Sequence, residues 1–274
     1  MNKKLALTAG TAAAAAAALP LLMLAPGRAT RRQKAPFMGL NCAHRGLHSR
    51  DMKVPENSIE AFRLAAEAGY GIELDVQLSK DGQVVVFHDD TLDRVCGIRS
   101  RVDEKDYSEL RALSLCGSEY GIPLFTEVLS TVHGRSPIIV ELKTGKHNRE
   151  LCEKTCRILS EYRGEVCVES FDPRIVAWFR FHAKDLLRGQ LAAPTCDYAS
   201  KASPSLVKLM SHCWLNFLGR PQFISYKIGR RYFSVHLAEL MGAMRVGWTS
   251  HDPRNEKKRD TVIFEFYKPR IRFK

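Results

Sequence analysis

Nine short runs rich in β-branched and aromatic residues alternate with amphipathic stretches between residues 39 and 265, and this alternation leaves few folds open. The strand candidates are Gly39–His44, Gly71–Leu78, Gln83–His88, Pro137–Leu142, Glu165–Ser170, Leu187–Leu191, Gln222–Tyr226, Met244–Thr249 and Thr261–Glu265. Helix-start signals fall between most of them. Asn57 or Ser58 caps Ile59–Ala68, which Gly69 stops, and Pro123 opens Leu124–Val132. His147–Tyr162 follows, Asp172-Pro173 starts Arg174–Ala183, and Ser203-Pro204 starts Ser205–Phe217. Strand and helix in repeated succession predict a parallel α/β sheet. One unit breaks the rule. Only Ser79–Gly82 separate the second and third runs, whereas a parallel crossover takes about a dozen residues, so the third run folds back as a hairpin arm around Lys80-Asp81-Gly82. Eight parallel strands remain, which predicts a closed (β/α)8 TIM barrel. An open Rossmann-like sheet competes, but no G-x-G-x-x-G follows any strand. Residues 89–122 are too long for a simple loop and read as a small insertion after the second strand.

The 274 residues suit one large domain, and 45% hydrophobic with 26% charged residues excludes a disordered chain. From Leu5 to Gly27 there is no charge, and about 20 such residues span a bilayer core. We therefore divide the chain into an N-terminal segment, 1–34, and a barrel domain, 35–274. The segment reads as a membrane anchor or as a cleaved signal. Leu24, Met23 and Pro26 around Ala25 make a poor cleavage site. The basic flank Arg28, Arg31, Arg32 and Lys34 outweighs Lys3 and Lys4, which favours a single anchoring helix with the domain on the cytoplasmic side; secretion after cleavage is the alternative. Eight cysteines without a Cys-x-x-Cys pair read as small buried thiols in a reducing compartment.

Catalytic groups of a barrel gather at the C-terminal ends of its strands. There the first strand brings His44 and Arg45, and the second brings Glu73 and Asp75, two apart and so on one face. A hairpin centred between Lys80 and Asp81 places His88 opposite Glu73. Ile138–Val140 leads into Glu141 and Lys143, again two apart. Three carboxylates together need a cation among them, and three hard oxygen donors with room for water suit Mg²⁺ or Ca²⁺ better than zinc. A divalent ion beside Arg45 and Lys143 forms an anion site, most naturally for phosphate. The two histidines can serve as general base and general acid. No Ser or Cys nucleophile is paired to a base. Cys42 shares the face of His44 and reads as a packing residue, Glu56 and Asn57 as loop and cap residues, and Asp89 equally as a turn residue or a ligand neighbour.

In order, the chain carries His-Arg-Gly at 44–46, Pro-Glu-Asn-Ser at 55–58, Glu-Leu-Asp-Val at 73–76, Lys-Asp-Gly at 80–82 and His-Asp at 88–89. Ile-Pro-Leu at 122–124, Glu-Leu-Lys at 141–143, Glu-Ser-Phe-Asp at 169–172 and Trp-Thr at 248–249 continue the series. The ordered set resembles the glycerophosphodiester phosphodiesterase family over residues 40–266. The resemblance implies a TIM barrel with a small insertion. It also implies a metal-dependent phosphoric diester hydrolase that releases glycerol 3-phosphate and an alcohol. It makes Glu73, Asp75 and Glu141 the metal ligands, His44 and His88 the acid–base pair, Arg45 and Lys143 the phosphate holders, and Trp248 a pocket residue. It further implies attack by the substrate's own glycerol hydroxyl through a cyclic phosphate, which accounts for the missing protein nucleophile. The last strand ends Ile263-Phe264-Glu265 and departs from the family's usual ending.

The net charge of +12 gathers at Arg28–Lys34, Lys227–Arg231 and Arg254–Lys274. No helix–turn–helix, zinc-finger or RNP pattern accompanies it, so anionic lipid headgroups are expected as its partner rather than nucleic acid. Two other functions stay open: a phospholipase D-type enzyme acting on lysophospholipid or phospholipid, and a non-catalytic module that binds anionic lipid or nucleic acid.

Overall fold

Period-two alternation decides which way each strand faces. Along β2 (Gly71–Leu78) the residues Ile72, Leu74 and Val76 enter the apolar layer shared with Phe62, Ala65, Phe125 and Val128 of the outer helices, which turns Glu73 and Asp75 inward. The same logic runs round the sheet in the computed structural model, which describes residues 18–198 and 202–274. The remaining strands are β1 (Leu40–Ala43), β3 (Val84–Val86), β4 (Ile138–Leu142), β5 (Val166–Ser170), β6 (Leu187–Ala192), β7 (Phe223–Lys227), β8 (Met244–Ser250) and β9 (Thr261–Phe264). All nine fall where the sequence predicts them. Eight pair in parallel in the order β1-β9-β8-β7-β6-β5-β4-β2, and β2 returns to β1 with Cys42 opposite Gly71. The sheet is therefore a closed TIM barrel, with β3 bonded antiparallel to β2 outside the cycle.

Apolar side chains including Cys42, Ile139, Cys167, Leu187, Phe223, Val246 and Ile263 fill the barrel's lower interior. Gly189 on β6 makes room there: a Cβ at that position would meet the Phe223 ring at 2.0 Å. Cys42 is a packing residue, fully buried, and burial pushes its thiol pKa far up. Helices Ile59–Glu67, Phe125–Val132, Asn148–Glu161 and Pro173–His182 form much of the outer layer. Ser58, rather than Asn57, caps the first by accepting from the Ala61 amide.

Three expectations need correction. The hairpin register is slipped by one residue, with Val76 opposite Val86 and Leu78 opposite Val84. The cause is a loop of three residues, Lys80–Gly82, in which Gly82 takes φ 74° and the Ser79 amide donates to the Gln83 carbonyl at 3.0 Å. His88 thus lies beyond the ladder, past the bond from the Phe87 amide to the Asp75 carbonyl, instead of opposite Glu73. The helix expected over Ser205–Phe217 is two pieces, Pro204–Ser211 and Asn216–Gly219, because Cys213 turns to φ 58° between them. A helix at Phe233–Leu240 has no counterpart in the sequence reading.

Residues 89–122 hold short helical turns at Asp93–Cys96, Val102–Glu104 and Tyr107–Arg111, packed on a small core of Phe87, Leu92, Val95, Leu110 and Ile122. The N-terminal apolar run lies mostly outside the described residues. Its end, helical over 18–24, reaches the barrel with Leu24 fully buried. Arg220 Nη1 donates to the carbonyls of Leu22 and Ala25 at 2.8 and 2.9 Å, and the Gly27 amide donates to Pro221 O. Among the described residues no helix is long and apolar enough to cross a membrane.

Candidate active site

At the top of β1 the chain turns sharply: Arg45 takes φ 53° and Gly46 φ 80°, and a Cβ on Gly46 would meet the Ala61 backbone at 2.8 Å. Opposite them Asn57, also left-handed at φ 55°, donates its amide to the Arg45 carbonyl at 2.9 Å. Such backbone strain gathers where the surrounding structure must aim a group. Here the turn aims the Arg45 amide at Glu73 Oε2, 3.0 Å away, and brings the Arg45 guanidinium to 3.5 Å from Asp75 Oδ2.

β2 and β4 run in register, with Asp75 opposite Glu141, so Glu73, Asp75 and Glu141 converge with ligand oxygens all within 4.8 Å of one another. All three are buried. Lys143 Nζ stands over them, 2.9 Å from Glu141 Oε1 and 3.4 Å from Asp75 Oδ1, and Asn57 Nδ2 donates to Asp75 Oδ2 at 2.9 Å. Burial works against the Asp75 charge, but His88, Lys143 and Arg45 hold its pKa far below the carboxylate range. Glu73 goes the other way, pushed well up by burial and by Asp75, Glu141 and Glu169. Three convergent hard oxygens, with little positive charge on the Glu73 side, fit a metal ion, and Glu73, Asp75 and Glu141 are the residues that could hold it.

The two histidines flank this group. His44 Nε2 lies 4.0 Å from Glu73 Oε2, and its Nδ1 faces Glu265 Oε1 at 3.5 Å. A carboxylate only accepts, so Nδ1 carries the proton and Nε2 turns to the site. Burial lowers the His44 pKa, against the hydrogen bond that His44 donates to Glu265. His88 Nδ1 stands 2.5 Å from Asp89 Oδ1, which fixes its tautomer in the same way. Trp248 donates Nε1 to the Ser225 carbonyl and meets Phe171 edge to face, ring centres 5.8 Å apart.

All eight residues singled out in the sequence lie on this rim or beside it. Others were missed. Glu169 on β5, in register with Glu141, is buried with Oε2 free of any hydrogen bond; counting by twos from Cys167 would have found it. Glu265, noted only as a departure, takes the edge of His44 and also His48 Nε2 at 3.1 Å. Glu56 and Asn57 are more than loop and cap residues, since they hold Arg45 and Asp75. Arg94 and His48 lie on loops, where no periodicity marks them. From Thr144, next to Lys143, an apolar groove of about 660 Å³ runs past Phe171 and Tyr198 to Leu206, Met210 and Leu215.

Fold and rim together define a TIM barrel whose mouth gathers three buried carboxylates, two imidazoles and two cations. The chain belongs to the glycerophosphoryl diester phosphodiesterase family, whose sequence model matches residues 44–212. A glycerophosphodiester phosphodiesterase of Caldanaerobacter subterraneus is 38% identical over 143 residues, 47% of this chain and 57% of the relative. The human lysophospholipase D GDPD1 is 30% identical over 158 residues, 53% of this chain and 48% of that one. The matches thus span about half the length of these curated relatives. Among solved structures, a glycerophosphodiester phosphodiesterase from Thermotoga maritima superposes with a TM-score of 0.62 at 28% identity, covering 82% of this chain and 93% of that one.

Proposed function

We propose that this protein hydrolyses glycerophosphodiesters to glycerol 3-phosphate and an alcohol, using a divalent cation, Mg²⁺ or Ca²⁺. The observation that carries this reading is the buried Glu73–Asp75–Glu141 group facing His44, His88, Arg45 and Lys143, with no Ser or Cys of the described residues hydrogen-bonded to either histidine. Arg45 and Lys143 bind the phosphodiester anion and orient it. His44, kept neutral by burial, takes the proton of the attacking hydroxyl at Nε2. His88, its Nδ1 proton held by Asp89, gives a proton from Nε2 to the leaving alcohol oxygen as the P–O bond breaks. Water then adds to phosphorus in the reverse sense, so the sum is one water consumed and one P–O bond exchanged. When bound, the cation would neutralise charge developing on the phosphoryl oxygens. Trp248 lines the substrate's approach.

The purified protein, offered glycerophosphocholine and glycerophosphoglycerol with Mg²⁺, Ca²⁺ or chelator, should release glycerol 3-phosphate only with metal. Silence on every diester, or full activity in chelator, would sink the proposal.

The groove favours a second reading, in which the glycerol bears an acyl chain and the enzyme acts on lysophospholipid in the phospholipase D sense. Its walls are largely apolar, with Asp172, Arg174 and Asp197 among them, and begin at Thr144, and a family relative carries that name. Release of lysophosphatidic acid from lysophosphatidylcholine, absent with water-soluble diesters, would move the assignment there. A non-catalytic binder of anionic lipid would bind vesicles and turn over nothing. We also propose that the run from Leu5 to Gly27 anchors the chain with its barrel on the cytoplasmic side. Exposed Leu19, Leu21 and Leu22 and the basic flank support it, and cleavage after Ala25 would remove the buried Leu24. N-terminal sequencing of the membrane fraction from expressing cells tests it, and a mature end beyond Ala25 would overturn it.

A further inference from the structure

We infer that Arg94 is a positioning residue, a double fork that fixes the proton-carrying His88 and the phosphate-binding Arg45 relative to one another; the inference rests on the reaction proposed above. Arg94 comes from the short helical turn Asp93–Cys96, outside the barrel strands. Its Nη1 and Nη2 donate to both oxygens of Glu56 at 2.9 and 2.7 Å. Its Nε and Nη2 donate to both oxygens of Asp89 at 2.6 and 3.1 Å. One planar guanidinium therefore grips two carboxylates edge-on.

Each carboxylate has a second engagement. Asp89 Oδ1 takes the Nδ1 proton of His88, and Glu56 Oε1 accepts from Arg45 Nη1 at 2.7 Å. Arg45 in turn reaches Asp75, and its amide reaches Glu73. An unbroken path runs from one imidazole through Asp89, Arg94 and Glu56 to the Arg45 guanidinium and the carboxylates it reaches. A surface ion pair would look different. Glu56 is only 6% exposed and sits between two guanidinium groups, and half of Arg94 is covered although it lies outside the barrel strands. Without Arg94, Asp89 is free to turn toward solvent and His88 loses the partner that sets its tautomer. Lysine cannot replace the fork, because an ammonium is a point charge that meets one carboxylate squarely and not two.

The test uses the full chain: wild type, R94A, R94K, D89N and the R94A/D89N pair, assayed on glycerophosphocholine with metal and melted in parallel. Supporting partners of this kind cost about 10–100-fold when removed. R94A should lose that much in kcat while its melting temperature stays close to wild type, and R94K should recover little of it. Added guanidinium ion should restore R94A and leave wild type unchanged. Because part of the Arg94 effect runs through Asp89 and the rest through Glu56, the double variant should fall less far below D89N than R94A falls below wild type. R94A and R94K both within about twofold of wild type would overturn the inference, as would losses that multiply in the double variant with no guanidinium rescue. If R94A does not fold, R94K decides by the same criterion. A wild type silent on every diester would count against the proposed function and not against Arg94. In that event the His88 Nδ1 proton resonance, expected downfield in wild type and lost to exchange in R94A, tests the positioning without turnover, and its persistence in R94A would overturn it.

Discussion

Asp75 and Glu73 stand two residues apart on one strand, yet their charges fare oppositely. Asp75 has His88, Lys143, Arg45 and Asn57 around it, while Glu73 faces chiefly other carboxylates. The group is therefore short of positive charge on the Glu73 side. Glu73→Gln should weaken divalent-metal binding at least about tenfold by calorimetry and lower turnover with it; unchanged affinity would remove Glu73 from the ligand set. Glu265 touches the far edge of His44 and no other part of the carboxylate group. Glu265→Gln should cost about 10–100-fold in kcat while metal affinity holds. Glu56 offers a test by pH. Burial opposes its charge, but the Arg94 hydrogen bonds and Arg45 bring its pKa down to about 2. A depressed folded pKa stabilises the protein fully above the unfolded value near 4.5, and that stabilisation is lost as pH falls through about 2. The amount is about 3 kcal/mol at most. Denaturant melts of Glu56→Gln should lack this part of the acid slope, and identical slopes would show that the pair adds nothing.

Elements were legible to the extent that their signals are local. All nine strands could be read because each is a short β-rich run between turn residues, and the barrel followed from counting those that must run parallel. The hairpin register could not be read so well, since two-residue and three-residue loops over Ser79–Gln83 differ only in the backbone angle that Gly82 adopts. The break at Cys213 was equally hidden, because a left-handed cysteine has no sequence mark and the apolar pattern runs on across it. Gly82→Ala forces a side chain into φ 74°. It should destabilise by about 1–2 kcal/mol in urea melts; a neutral substitution would mean that the loop relaxes to another turn.

Across the whole molecule, legibility of the site divides by where a residue sits. Glu73, Asp75 and Glu141 lie on strands, where alternation by two and neighbouring register bring them together before any coordinates exist. Arg94 and His48 sit on loops whose paths depend on tertiary packing, so nothing in the chain's pattern brings them forward. Strand residues supply the carboxylates, the residues just past the strand ends, His44, Arg45, His88 and Lys143, supply the imidazoles and cations, and Glu56, Asn57 and Arg94 hold them in place.

The described N-terminal segment and the C-terminal tail share one side of the barrel. Gly27 is tied to Pro221, below β7, and Arg272 bridges to Leu40 at the start of β1, with the Phe273 amide on the Gly39 carbonyl. The mouth opens at the other end of the strands, roughly 15 Å away for five residues of strand. A bead or a fused protein holding this molecule by its C-terminal tail thus grips it by the floor and leaves its opening pointing outward.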